Sequence, residues 1–220
     1  MGRAKEIKIK VIPSKLANQF VKKWHYSGKV VPNSNLHFGA FLDNALHGVM
    51  SFGPSINKKG TINLVEGTGW NEFIELNRMA FDDYLPRNSE SRCIAIAIKL
   101  LKKNAPHIKW IISFADGTQC GDGTIYRASG FKLVGIAKNT ALRINPETGE
   151  AMHVIQAHHK KISKEFRKWK AFEGFQFKYV YLIKKDLKLN APVIPFSKID
   201  EIGAGMYKGE KISILDRQKA

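Results

Sequence analysis

The chain has 220 residues, 44% hydrophobic and 10% aromatic, a composition that suits one good hydrophobic core with at most an appendage. No apolar run approaches the roughly 20 residues of a membrane span. The opening MGRAKEIKIK also lacks the apolar stretch of a secretory signal. The formal net charge of +17 is uneven: residues 1–30 carry eight Lys or Arg against one acid, 31–115 carry nine against seven, and 138–188 carry twelve against five. A near-neutral middle between two basic segments predicts a cationic face for a polyanion, nucleic acid first.

The pair Cys93 and Cys120 forms no metal-binding spacing and no disulfide framework, as expected in a reducing cytosol. Glu6 to Ile12 alternates charged and apolar residues and predicts a first strand. Pro13-Ser14 ends it, and Leu16, Phe20, Val21 and Trp24 recur at helical spacing up to His25. Tyr26-Ser27-Gly28 closes that helix, and Lys29 to Asn35 reads as loop. Leu36–Leu42 and Leu46–Phe52 flank Asp43-Asn44-Ala45, a hairpin signal. Gly53 to Gly69 reads as a mobile segment of Gly, Asn and Lys.

Phe73 to Phe81 (FIELNRMAF) predicts a central strand. Strict alternation puts Glu75 and Asn77 on one face and Arg78 on the other. Polar side chains on a buried strand need partners. An apolar helix follows from Ser89 to Asn104, capped by Asn88 or Ser89, and its first-turn amides are free to receive an anion. Trp110 to Ala115 predicts a buried strand bounded by Asp116-Gly117. A Gly-rich loop leads to a short helix over Thr124–Ser129, stopped at Gly130, before a strand over Phe131–Ile136. His153 to Lys170 is a basic, helix-like run with Phe166 and Trp169 interleaved, Lys178–Ile183 a last strand, and residues 190–220 a loosely docked extension.

The order strand, turn, short helix, Gly-Phe, strand resembles the end of the GNAT acetyltransferase fold, with Tyr126 four residues before Gly130-Phe131. The resemblance implies a mixed, mostly antiparallel α/β (α+β) sheet, splayed in the middle with helices on both faces. It also implies that Tyr126 protonates a leaving group; the alternative is packing between helix and sheet. Further motifs narrow the likeness. Trp24-His25-Tyr26-Ser27-Gly28, Glu75-Leu76-Asn77-Arg78, Leu85 to Arg92, Ser113-Phe114-Ala115-Asp116 and Gly123 to Ser129 resemble the Mom family of phage DNA-modification proteins, from about residue 14 to Pro192-Val193-Ile194-Pro195-Phe196. That resemblance implies a transferase that places a carbamoylmethyl group on the exocyclic amine of adenine in DNA and so shields phage DNA from restriction. The alternative is a GNAT-type acyltransferase acting on a small molecule, protein or tRNA. One departure stands out: Leu85-Pro86-Arg87-Asn88-Ser89 lacks the glycines of the superfamily's pyrophosphate loop, although Arg87 and the helix amides can hold a phosphate.

Adenine's exocyclic amine is a poor nucleophile, so the reaction needs a base, an activated donor and an extruded nucleotide. The candidate catalytic residues are His25, Tyr26, Asp116 and Tyr126: Asp116 or His25 as base and Tyr126 as acid. Bland roles stand beside these, a helix C-cap for His25-Tyr26 and a turn residue for Asp116. Glu75, Asn77, Arg78 and Ser113 are candidates for substrate binding, Arg87, Asn88, Ser89 and Ser91 for the donor, and Lys160, Lys161, Lys164, Arg167, Lys168 and Lys170 for the DNA backbone. The donor is expected to be acetyl-CoA-like or aminoacyl. Iron is a further option on His25, Tyr26 and Asp116. Expected partners are double-stranded DNA with a flipped-out adenine and, optionally, a second copy of the chain, in the cytoplasm of the phage host and away from membranes. One catalytic domain is expected over residues 1–189, with the basic segment 138–188 inside it.

Overall fold

The computed structural model describes residues 2–118, 121–139, 141–149, 151–171, 174–207 and 210–211; Cys120 lies outside them. In chain order the elements are β1 (Lys8–Val11), α1 (Ser14–Trp24), β2 (Leu36–Leu42), β3 (Ala45–Gly53), α2 (Lys58–Thr61), β4 (Phe73–Phe81), α3 (Ser89–Asn104), β5 (Trp110–Asp116) and α4 (Thr124–Ala128). They continue with β6 (Lys132–Lys138), β7 (Leu142–Ile144), β8 (Ala151–His153), α5 (Val154–His159), α6 (Ser163–Phe166), β9 (Lys170–Ala171), β10 (Phe175–Leu182) and α7 (Ser197–Glu201). The chain forms two compact units. The first comprises Met1–Phe114, Thr124–Val134 and Lys178–Ile194; the second comprises Ala115–Gly123, Gly135–Phe177 and Pro195–Ala220.

The seven-stranded sheet has the order β1-β2-β3-β4-β5-β10-β6. The neighbours from β1 to β4 are antiparallel. Asp43 and Asn44 join β2 to β3 with φ of 50° and 62°, the left-handed pair whose twist matches a two-residue hairpin. β4 and β5 are parallel, and their ladder covers only Phe73–Leu76 against Trp110–Ser113. β4 then runs on to Phe81 paired with β3 alone.

Two apolar clusters hold the first unit. α1 lays Ala17 and Val21 on Val49 of β3 and Ala80 of β4. Of the expected stripe Val21 is buried and Phe20 packs against the cluster, but Leu16 and Trp24 are exposed, because the buried face is centred on Ala17. The other cluster gathers Phe73, Trp110, Ile112, Val134, Val180 and Leu182. Phe73 and Trp110 stack there with centroids 4.3 Å apart. Cys93 is buried in α3, which pushes its thiol up to about 12 and leaves it protonated.

Three expectations change. Gly53 to Gly69 is built rather than loose: Asn57 caps α2 by accepting from the Gly60 N–H at 3.1 Å, and Thr61 Oγ1 donates to the Asn57 carbonyl at 2.7 Å. The basic run 153–170 is two short helices broken at Lys161, where φ is 58°. Phe166 and Trp169 are nevertheless buried, packed with Ala157 in the second unit. Residues 190–194 are tied to the first unit. The Asn190 N–H donates to the Leu64 carbonyl at 3.0 Å and the Ile194 N–H to the Leu133 carbonyl at 2.8 Å.

Candidate active site

The site begins with an irregularity in β4. Ser51 of β3 pairs with Arg78, but its neighbour Phe52 pairs with Leu76, so Asn77 is an extra residue with no opposite number. The bulge resets the alternation. Arg78 shares the face of Glu75, whose partner is Gly53, instead of the opposite face that a regular strand would give. Ala80 and Val49 lie on this face too, beneath α1. The C-terminal end of α1 therefore stands over the polar part of β4.

The segment after α1 is stitched along that strand. Arg78 Nε donates to the Lys29 carbonyl at 2.8 Å, and its Nη1 donates to the Asn77 carbonyl at 2.7 Å. The Ser34 hydroxyl donates to Asn77 Oδ1 at 2.8 Å. Asn77 is only 8% exposed, and among the described residues its Nδ2, a buried donor, has no hydrogen-bond partner. Gly53 makes room for this loop: a Cβ there would lie 2.3 Å from the Asn33 carbonyl oxygen. His37 pairs with Ser51, in the same row as Arg78, and its Nδ1 lies 2.8 Å from the Ser51 hydroxyl.

The charges are mutually adjusted. Burial raises the Glu75 pKa above the usual carboxylate range. The Ser55 hydroxyl, Arg78 and the Ile56 backbone N–H work against this by favouring the anion. Burial lowers the Arg78 pKa, opposed by Tyr26, Glu75 and Tyr126. His25 is pushed down to about 4, by burial first and by the Arg78 cation second, so it is neutral at physiological pH. Its ring lies 4.3 Å, centroid to centroid, from that of Tyr26, which is half exposed. Tyr126 is buried against Phe131 and Tyr179, at 5.3 and 5.2 Å between centroids. One cation thus lies within electrostatic reach of His25, Tyr26, Glu75 and Tyr126.

The other candidates have different settings. Ser113 is fully buried where the β4–β5 ladder ends, and its hydroxyl donates to the Leu76 carbonyl at 2.7 Å. It holds the last rung of that ladder. Asp116 belongs to the second unit, where its Oδ1 accepts from the Thr118 N–H at 2.9 Å. At the start of α3, the Ser91 hydroxyl donates to the Asn88 carbonyl at 3.2 Å and the Ser89 hydroxyl donates to the Pro86 carbonyl. Both hydroxyls are turned onto the loop, and Asn88 is left-handed with φ 67°. A phosphate there would be met by backbone amides and by the exposed Arg87. Lys160, Lys161, Lys164, Arg167, Lys168 and Lys170 are all exposed in the second unit. Among the described residues, no three His, Cys, Asp or Glu side chains are grouped to hold a metal ion. No helix among them is long and apolar enough to cross a membrane.

Residues 6–198 match the profile of the Mom protein family. The chain belongs to the Mom family. Its similarity to the "Methylcarbamoylase mom" of Escherichia phage Mu is 37% identity over 153 residues, 69% of this chain and 62% of that protein's length. Among solved structures, the spermidine/spermine N-acetyltransferase SpeG of Vibrio cholerae, in complex with manganese ions, overlays with a TM-score of 0.51. It is 10% identical, and the overlay covers 84% of this chain and 96% of that one. An acetyltransferase of Bacillus subtilis in complex with CoA gives 0.49 at 12% identity, covering 80% and 98%. The fold of this Mom-family chain is thus GNAT-like.

Several neighbours of the site escape a reading of the sequence. Ser34 and Ser55 are single hydroxyls in segments that read as loop, and nothing around them marks a partner far along the chain. The bulge did leave a trace: Asn77 and Arg78 are adjacent polar residues in an otherwise buried strand, which strict alternation cannot accommodate.

Proposed function

We propose that this Mom-family protein transfers a carbamoylmethyl group to the exocyclic amine of adenine in double-stranded DNA and thereby protects phage DNA from restriction in the host cytoplasm. What supports this reading is the β4 bulge, which puts Arg78 on the face of Glu75, in a chain that matches the Mom profile over residues 6–198; His25 and Tyr126 are proposed to complete the set. The target adenine leaves the duplex and meets the half-exposed Tyr26 ring. Glu75, its pKa raised by burial, accepts a proton from the amine as nitrogen attacks the methylene carbon of an activated two-carbon donor. The N–C bond forms, the bond from carbon to the leaving group breaks, and the Tyr126 hydroxyl supplies the leaving group's proton. Asp116 is the second candidate for the base.

His25 acts in this scheme as a neutral hydrogen-bond donor rather than a base, because its Nδ1 lone pair accepts from the Ser27 backbone N–H. Asn77 Nδ2 offers a buried amide donor to the substrate or the two-carbon donor. The donor that balances this step is an acetamide activated on its methylene carbon, whereas an acyl-CoA-like or aminoacyl compound, with its leaving group on the carbonyl, would give an N-acyl adenine. The donor's anionic part lies at the start of α3 near Arg87, Asn88, Ser89 and Ser91. Mass spectrometry of nucleosides from plasmid DNA, made in cells producing the protein, tests the reading. A deoxyadenosine heavier by one carbamoylmethyl group is expected. Unmodified DNA from cells with abundant folded protein would refute it, and an acylated tRNA, protein or small molecule found instead would identify an ordinary acyltransferase.

A further inference from the structure

Ile56 is 78% exposed, a large β-branched side chain held out in water. Its surroundings are rigid. Ser55, just before it, is 4% exposed, with its hydroxyl 3.5 Å from that of the buried Thr61. Gly53, a few residues before it, pairs with Glu75 across the β3–β4 ladder. Asn57, just after it, caps α2 and receives the Thr61 hydroxyl at its carbonyl at 2.7 Å. The buried Ser55 before it and the Asn57 cap after it fix where the side chain emerges, and a β-branched side chain adds little rotamer freedom of its own. Cations follow at once: Lys58, with its Nζ 3.8 Å from the centre of the half-exposed Trp70 ring, and the exposed Lys59.

We infer that Ile56 is a wedge that enters the base stack of duplex DNA and fills the gap left by the extruded adenine. This rests on DNA adenine being the substrate, as proposed above. Extruding a base leaves an apolar void between the flanking pairs, and inserted aliphatic side chains hold such steps open. The wedge must sit close to the site that receives the base, and here Ile56 closely follows Gly53, the residue that faces Glu75 in the β3–β4 ladder. It must also be flanked by phosphate-binding charge, which Lys58 and Lys59 supply. On engaging DNA this side chain would leave water for an apolar environment.

The test uses the full chain. In cells, Ile56→Ala and Ile56→Ser are expected to lower plasmid deoxyadenosine modification by on the order of tenfold, the effect of losing one to two kcal/mol of wedge contact. Ile56→Leu and Ile56→Met should recover most of that loss, and thermal unfolding of all four should match the wild type. A duplex carrying 2-aminopurine at an adenine mapped as modified should brighten with the wild-type protein and much less with Ile56→Ala. Placing an abasic site opposite the 2-aminopurine should restore the signal for Ile56→Ala, because the pairing cost is then absent. Full modification by Ile56→Ala, or equal brightening on both duplexes, would overturn the wedge while leaving the adenine-modification reading intact. A wild-type protein that leaves DNA unmodified would overturn both.

Discussion

Ser27 holds the ring of His25 from one side. The Ser27 backbone N–H points to His25 Nδ1 at 3.1 Å, and the Ser27 hydroxyl lies 2.8 Å from the same nitrogen. A backbone amide can only donate, so Nδ1 must carry the lone pair, and in the neutral ring the proton sits on Nε2. Neutral His25 therefore presents an N–H donor. His25→Gln, which keeps an amide donor at similar reach, should retain a measurable part of the modification activity, whereas His25→Ala should lose on the order of 10². Nitrogen NMR of the ring checks the tautomer directly. An Nδ1–H tautomer, or equal loss in Gln and Ala variants, would return His25 to the role of base.

The depressed pKa of His25 also bears on stability. The unfolded chain takes up the proton near the ordinary histidine value of about 6.5, but the folded chain does so only near about 4. Between these values the unfolded state binds more protons, so His25 lowers stability as pH falls through that window and has no effect above it. His25→Gln should flatten the fall in melting temperature from pH 6.5 to pH 4. An unchanged slope would mean that His25 titrates normally.

Glu75→Gln, Asp116→Ala and Tyr126→Phe separate the chemical roles. Loss of a general acid or base costs on the order of 10²–10⁴ in rate. Glu75→Gln should reach that range with the fold intact. Tyr126→Phe keeps the ring between Phe131 and Tyr179 and removes only the hydroxyl. A fully active Tyr126→Phe enzyme would end its assignment as acid. If Asp116→Ala falls to the same level as Glu75→Gln, the base must be sought among both carboxylates; an Asp116→Ala enzyme with normal activity leaves Glu75 alone in that role.

Ser34→Ala tests the orientation of Asn77. The Ser34 hydroxyl fixes Oδ1 and so aims Nδ2 away from itself. Without it the amide can turn over. Modification should fall by about tenfold, with a stability loss of about 1 kcal/mol for one hydrogen bond. Activity that tracks melting temperature alone, restored by cooling, would show that Ser34 serves only the fold.

The exposed cations of the second unit are expected to hold the DNA backbone. Removing two among Lys160, Lys161, Lys164, Arg167, Lys168 and Lys170 should weaken binding to any sequence and flatten the log–log salt slope by roughly two units. Phe166→Ala should instead destabilise by about 3–5 kcal/mol, because Phe166 is 2% exposed in a cluster with Trp169 and Ala157. DNA titrations at several salt concentrations decide the matter. Unchanged slopes would move the track to the exposed Lys15, Lys22, Lys23 and Lys29, beside His25.

Element type was legible in the chain wherever apolar spacing was regular. The hairpin around Asp43-Asn44, the strand Phe73–Phe81 and the helix Ser89–Asn104 all form within those limits, because side-chain period and turn chemistry are local properties. The residue types of the site were legible too, since polar groups in buried strands and at helix ends need partners. Which groups meet was not. One unpaired residue, Asn77, carries Arg78 across the sheet to Glu75; the adjacent polar pair marks a break in alternation, but where the register shifts depends on pairing with β3. Ser34, Ser55 and the Lys29 carbonyl join the site from segments with no periodicity, through contacts between residues distant in sequence. The proton position on His25 likewise depends on a backbone amide whose direction is set only once α1 has ended over β4.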